Sequence, residues 1–209
     1  MTRQPGGRTR EATANDALIF QAAREVLVAD PHAPISDVAA RAGVGMAALY
    51  RRYPSKEFLL ASLCAEGQRV YIAEAEAALA QPGDGFDVFA NFLRRIVASD
   101  THSLSGRLAG TFKPTEVHLR QAIRLREVAE ALFERARNSG RLRADLTLLD
   151  VGLLLEAIAF PQIGTKARTA ELRQRLLALL IDGLRAGHGP LPESAPTWEE
   201  QERRWVPKI

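Results

Sequence analysis

The stretch Ile35–Arg52, ISDVAARAGVGMAALYRR, followed by Tyr53-Pro54-Ser55-Lys56, decides how the rest of the chain is read. Apolar residues recur at helical spacing at Ile35, Val38, Ala39 and Ala42. Gly43 interrupts them, and a second short helical pattern follows through Met46, Leu49, Tyr50 and Tyr53. The pattern predicts helix, tight turn, helix. Ala39 is small where the second helix crosses the first at a steep angle. Gly43 stands where the chain must stop one helix and reverse, which favours a left-handed backbone that glycine adopts without steric cost. Val44 closes the corner, and Leu49 holds the second helix against the first.

This arrangement resembles the helix-turn-helix of DNA-binding proteins, and the run AGVGMAALYRRYPSKEFLL resembles the TetR-type transcriptional regulators over the region from Ile19 to roughly Leu63. The resemblance implies an all-α protein, with an N-terminal three-helix DNA-binding domain followed by a helical ligand-binding and dimerisation domain. It implies that the residues between Val44 and Lys56 form the recognition helix and the start of a long linking helix. Tyr50 and Lys56 match phosphate-contacting positions, and Arg52 stands where the family usually has His or Tyr. Two positions depart from the family pattern. Gly45 replaces a Ser that caps the recognition helix, at a cost of about a few tenths of a kcal/mol, and Ala48 replaces a Thr or Ser hydroxyl. Polar contacts are thereby shifted toward Arg51 and Arg52. Met46, Ala47 and Arg51 are the candidates for base contacts, Arg51 alone being able to grip guanine with two hydrogen bonds. Tyr50, Arg52 and Lys56 are the candidates for phosphates.

A chain of 209 residues with 46% hydrophobic content can bury one large core or two small ones. Aromatic residues make up only 6%, and the abundance of Ala, Leu and Arg favours helices. The net charge is +3, so attraction to nucleic acid must come from local concentrations of charge, at Arg3, Arg8 and Arg10 and at Arg51, Arg52 and Lys56. Cys64 is the only cysteine, which excludes an internal disulfide, fits a reducing compartment and reads as a small buried residue. The amino-terminal MTRQPGGRTREATANDA has no apolar core of a secretory signal, and no apolar run approaches the roughly 20 residues needed to cross a bilayer. A cytoplasmic protein is expected.

Along the chain, residues 1–14 read as a flexible basic arm, either a solubilising tail or an arm that reaches the DNA. Residues 15–56 read as the DNA-binding domain, with Asn15 or Asp16 as the cap of its first helix and Pro34 in the first turn of the next. Residues 57–187 read as the effector and dimerisation domain, and 188–209 as a tail. Ser55 is the expected cap of the long helix, which stops at Gln81-Pro82-Gly83-Asp84-Gly85. Thr115 is the expected cap of another that ends near Asn138-Ser139-Gly140. The tail carries TWEEQERRW, with Trp198 and Trp205 two helical turns apart, either docked on the body or disordered.

Residues 148–160 and 172–184 are apolar around more than one face, so they either lie at the centre of one core or meet a second copy. The family resemblance implies the latter, a homodimer with a four-helix bundle across a two-fold axis. It also implies double-stranded DNA with a roughly palindromic operator as partner, and a small-molecule effector within the carboxy-terminal helices that shifts the spacing of the recognition helices. Phe89, Phe92, Arg107, Phe112 and His118 lie where such a pocket forms. An enzyme is the contrasting reading. The sequence has no phosphate-binding glycine loop, no G-x-S-x-G elbow and no H-E-x-x-H pair, and its four histidines are dispersed, so no metal or cofactor is expected. The remaining alternative is a constitutive DNA-binding or ligand-sensing protein without switching.

Overall fold

The computed structural model describes residues 6–30, 32–100, 108–187 and 189–205. Their regular structure is helical, with no strand among them and one isolated antiparallel bridge between Leu142 and Arg185. The helices are α1 (Gly6–Ala29), α2 (Ile35–Ala42), α3 (Met46–Arg52), α4 (Lys56–Leu79), α5 (Gly85–Ala98), α6 (Glu116–Arg137), α7 (Leu148–Ala159), α8 (Lys166–Gly183) and α9 (Trp198–Arg203). The chain divides into two compact units, Met1–Leu63 and Cys64–Ile209, with the division inside α4. Among the described residues no helix is long and apolar enough to cross a membrane.

In the first unit α1 begins at Gly6, inside the stretch expected to be a flexible arm; residues 1–5 lie outside the described residues. No proline stands between Pro5 and Pro31, so nothing in the sequence stops the helix from extending upstream of Asn15. Asp16 therefore lies in the body of α1 and does not cap it. Pro34 is the N-cap of α2, one position before the expected first turn. At the other end Gly43 adopts φ 68° and ψ 27°, and the N–H groups of Gly43 and Val44 donate to the carbonyls of Ala40 and Ala39. Val38, Ala39 and Leu49 are buried with Ile19, Ala23 and Leu27 of α1 and Leu59 of α4. A leucine buried as completely as Leu49 contributes roughly 1.5–3 kcal/mol through its apolar surface. Ser55 caps α4 by accepting from the Phe58 N–H at 3.1 Å.

In the second unit Asp84 caps α5, its carboxylate accepting from the Phe86 and Asp87 N–H groups. The resulting stripe of Phe86, Phe89, Phe92, Leu93 and Ile96 is the centre of the core, joined by Leu132 of α6, Leu155 of α7 and Leu177 of α8. The first residue of α5 lies against the end of α6: a methyl group at Gly85 would sit 2.1 Å from the Arg135 carbonyl oxygen. The Arg135 guanidinium reaches back to the end of α4 and donates to the carbonyls of Ala78, Leu79, Gln81 and Gly83 at 3.4, 3.0, 2.7 and 3.1 Å. Thr147 and Asp150 cap α7 reciprocally. Thr165 caps α8, which begins six residues before the apolar run expected at 172, because a capping threonine precedes a polar first turn. The described part of the tail, 189–205, is docked: Leu191 N–H donates to Asp145 at 2.7 Å, and α9 follows, capped by Thr197 and Glu200.

Candidate nucleic-acid interface and ligand cleft

The residues of α3 differ in exposure, with Ala48 half-buried between the two extremes. Leu49 is fully buried, whereas Met46, Ala47, Tyr50 and Arg51 are all exposed and form one face, since positions i, i+1, i+4 and i+5 lie side by side on a helix. Gly45 is the N-cap with an extended backbone and no side-chain hydrogen bond, as its lack of a side chain dictates. The first amide groups of α3 thus have no side-chain acceptor from the cap.

The two other cations expected on phosphates have partners inside the protein. Arg52 makes a two-pronged ion pair with Asp16, Nε to Oδ1 at 3.0 Å and Nη2 to Oδ2 at 2.6 Å. The phenol of Tyr53 donates to the same carboxylate at 3.0 Å. The Arg52 hydrogen bonds, aided by the phenol, hold the Asp16 carboxyl below its usual range, and burial pushes the Tyr53 phenol up to about 12. Lys56 donates from Nζ to the carbonyl of Ala33 at 2.8 Å, tying the start of α4 to the loop that enters α2. Phe20, Tyr53 and Phe58 stack in series behind this network at 5.8 and 6.3 Å.

The second unit contains a cleft of about 180 Å³ between α4, α5, α6, α7 and α9. Its floor is apolar, with Tyr71, Phe89, Leu93, Leu125 and Leu155 among the lining residues, and Trp198 and Gln201 of α9 close one side. The Arg126 guanidinium lies 3.8 Å over the Trp198 ring and pairs with Glu130 at 2.8 Å. Across the mouth, Glu156 is paired with Arg204 through contacts of 2.6 and 3.2 Å. Burial raises the Tyr71 phenol above its ordinary range.

Of the five residues expected to form a pocket, four are described, and of these Phe89 alone lines this cleft. Phe92 is buried in the core with its ring edge-on to Tyr71 at 5.2 Å. His118 is a capping residue: the N–H of Thr115 donates to its Nδ1 at 3.2 Å, and its ring packs on Phe112, which in turn meets Trp205. Arg107 lies outside the described residues. Reasoning from sequence missed Tyr71, Arg126 and Glu156 and gave Asp16 only a capping role; Trp198 stands out there for its spacing from Trp205, and the Thr197-to-Glu200 spacing of a capping box is the signal that would have placed it at a helix start. Among the described residues no group of His, Cys, Asp or Glu is placed to hold a metal ion.

Comparison with known proteins gives two matches to family models. Residues 19–63 match the model described as bacterial regulatory proteins, tetR family, and residues 84–186 match the C-terminal domain of SbtR-like transcriptional regulators. Together they span well over half of the chain. No curated protein matches it. Among solved structures, the chain is similar to the TetR-like transcriptional regulator LfrR of Mycobacterium smegmatis in complex with proflavine, at 22% identity and a TM-score of 0.56, covering 86% of this chain and 99% of that one. It is similar to the TetR family protein CprB of S. coelicolor A3(2), at 19% identity and a TM-score of 0.58, covering 92% and 94%. A gamma-butyrolactone receptor described as ArpA-like is 18% identical with a TM-score of 0.59, covering 93% and 94%.

Proposed function

Because the chain belongs to the TetR family of bacterial transcriptional regulators, we propose that it is a ligand-responsive repressor, acting in the cytoplasm as a homodimer on a palindromic operator and released by a small molecule. The observation that carries the DNA reading is the exposed face of Met46, Ala47, Tyr50 and Arg51 on a helix whose opposite side is locked by Leu49 and the left-handed turn at Gly43. Arg51 supplies the base contact, and Met46 and Ala47 the apolar contacts beside it. Tyr50 holds a phosphate, joined by Lys56, and by Arg52 when it leaves Asp16.

The homodimer is supported by the outer faces of α7 and α8. Leu153, Leu176 and Leu179 are exposed there, Leu179 at 64%, as is Phe160 at the end of α7 at 70%, while Leu155, Leu177 and Ile181 fill the inner faces. Apolar area of this kind is covered in a stable protein by a partner, and a second copy would bring two α3 helices to successive major grooves. The release step is supported by the cleft, and by the proflavine bound to the fold neighbour from Mycobacterium smegmatis.

The experiment is a mobility shift with the purified protein on DNA from upstream of its own gene, with and without candidate effectors. A repressor shifts one palindromic segment, reversibly. A protein that shifts every duplex alike is a constitutive binder, and one that shifts none is not a DNA-binding regulator.

A further inference from the structure

We infer that the cleft of the second unit takes an uncharged, flat aromatic molecule of one or two rings, and that α9 is the flap through which it passes; the inference rests on the effector reading above. A cavity of about 150 Å³ lined by aliphatic and aromatic side chains stays dry and admits benzene. The cleft is of similar size at about 180 Å³, and the aromatic residues Tyr71, Phe89 and Trp198 are part of its lining.

Charge is what narrows the class. The cleft's lining contains two ionised side chains, and each already has its counter-charge from the protein: Arg126 from Glu130 at 2.8 Å and Glu156 from Arg204 at 2.6 Å. A carboxylate or ammonium ligand would enter without a counter-ion of its own, or would have to break one of these pairs and leave the other member exposed to an apolar wall. A neutral ring displaces little and stacks on aromatic faces.

The flap follows from how α9 is attached. None of its residues is buried, yet Trp198 and Gln201 wall the cleft. It is held at one end by Arg126 on the Trp198 ring, and just past the other by Arg204 on Glu156 and by the Trp205 ring against Phe112 at 6.2 Å. Upstream, the chain is pinned by Arg143 on the Gly189 carbonyl and by Leu191 on Asp145. A short helix with no buried residue, fastened by a few side-chain contacts, opens at low free-energy cost, while the anchored residues before it act as the hinge.

The test uses the full chain with Trp205→Phe, which leaves Trp198 as its only indole. The probes are para-nitrotoluene, para-nitrobenzoate and para-nitrobenzylammonium, whose nitroaromatic ring quenches an indole on contact. Saturable quenching by para-nitrotoluene, with both ions at least about tenfold weaker, is the expected result. Equal or tighter binding of either ion, or no saturable quenching by the neutral compound, overturns the ligand class. Arg204→Met in the same background should raise the association and dissociation rates of para-nitrotoluene together, by about fivefold or more, with Arg204→Lys between it and the parent. Rates unchanged in both variants overturn the flap. A protein that takes up para-nitrotoluene and keeps its grip on DNA retains this site, while the effector reading fails.

Discussion

The guanidinium of Arg52, at the end of α3, is held by the carboxylate of Asp16 in α1 through two contacts of 3.0 and 2.6 Å, and the Tyr53 phenol joins on the same oxygen as the first. The last turn of α3 is thereby fastened to the first helix by an acid that holds the very cation proposed for a DNA phosphate.

Asp16→Asn should therefore strengthen DNA binding while weakening the fold. With its partner neutral, Arg52 becomes available to a phosphate, and the plot of log affinity against log salt should steepen by up to about 0.9. Fluorescence anisotropy across a salt series measures this, and an unchanged slope would show that Arg52 stays inside the protein.

The same network sets two pH limits of opposite sign. Arg52 depresses the Asp16 carboxyl, so its contribution to stability is complete above about pH 4 and is lost as acid protonates it. The Tyr53 phenol is raised to about 12, so its contribution is complete below its unfolded value of about 10 and is lost as pH rises from there. Urea midpoints of the parent and of Tyr53→Phe, compared from about pH 9 to 12, should converge toward the alkaline end.

Lys56 and Arg51 should separate by readout. Lys56→Met removes the bond to the Ala33 carbonyl, costing about 1 kcal/mol, and should weaken binding to all duplexes alike with a salt slope shallower by about one. Arg51→Ala should relax the preference for one base pair instead, by about 1–3 kcal/mol. Lost stability without a change of slope at Lys56 would make it a tether only.

Two glycines should fail for different reasons. Gly43→Ala meets no neighbouring atom, so its cost is that of a left-handed alanine, about 1–2 kcal/mol. Gly85→Ala drives a methyl group into the Arg135 carbonyl and should cost about 3 kcal/mol or more, since backbone must move. Urea denaturation of the two variants ranks them, and an equal cost would mean that α5 moves away easily.

The homodimer is tested at the exposed apolar faces. Leu179→Glu combined with Phe160→Glu should give a monomer by sedimentation, with little change in the melting of its own core, because neither side chain is buried. A dimer that persists would locate the contact elsewhere.

The turn at Gly43 is legible from sequence because its causes are local: a helical apolar pattern, a residue without Cβ and a second pattern within a few positions. The same holds for the caps at Ser55 and Thr115. Asp16 is not legible, since an Asn-Asp pair ahead of an apolar stripe looks like a helix start, and its true partners are 36 and 37 positions away. The cleft is only partly legible for a related reason. Phe89 and Phe92 share one stripe, and spacing along one helix does not tell which ring faces empty space and which faces Tyr71. Trp198 reaches the cleft through a docked tail whose fastening, Glu156 to Arg204, is 48 residues long in sequence.

Arg135 carries a consequence for how the protein is made. The corner after α4 is closed by a guanidinium supplied more than fifty positions downstream, on the carbonyls of Leu79, Gln81 and Gly83. A nascent polypeptide that has left the ribosome only as far as α5 lacks the group that secures this corner, so the second unit matures after α6 has been synthesised, and a chain truncated before residue 135 should be a ready target for proteases.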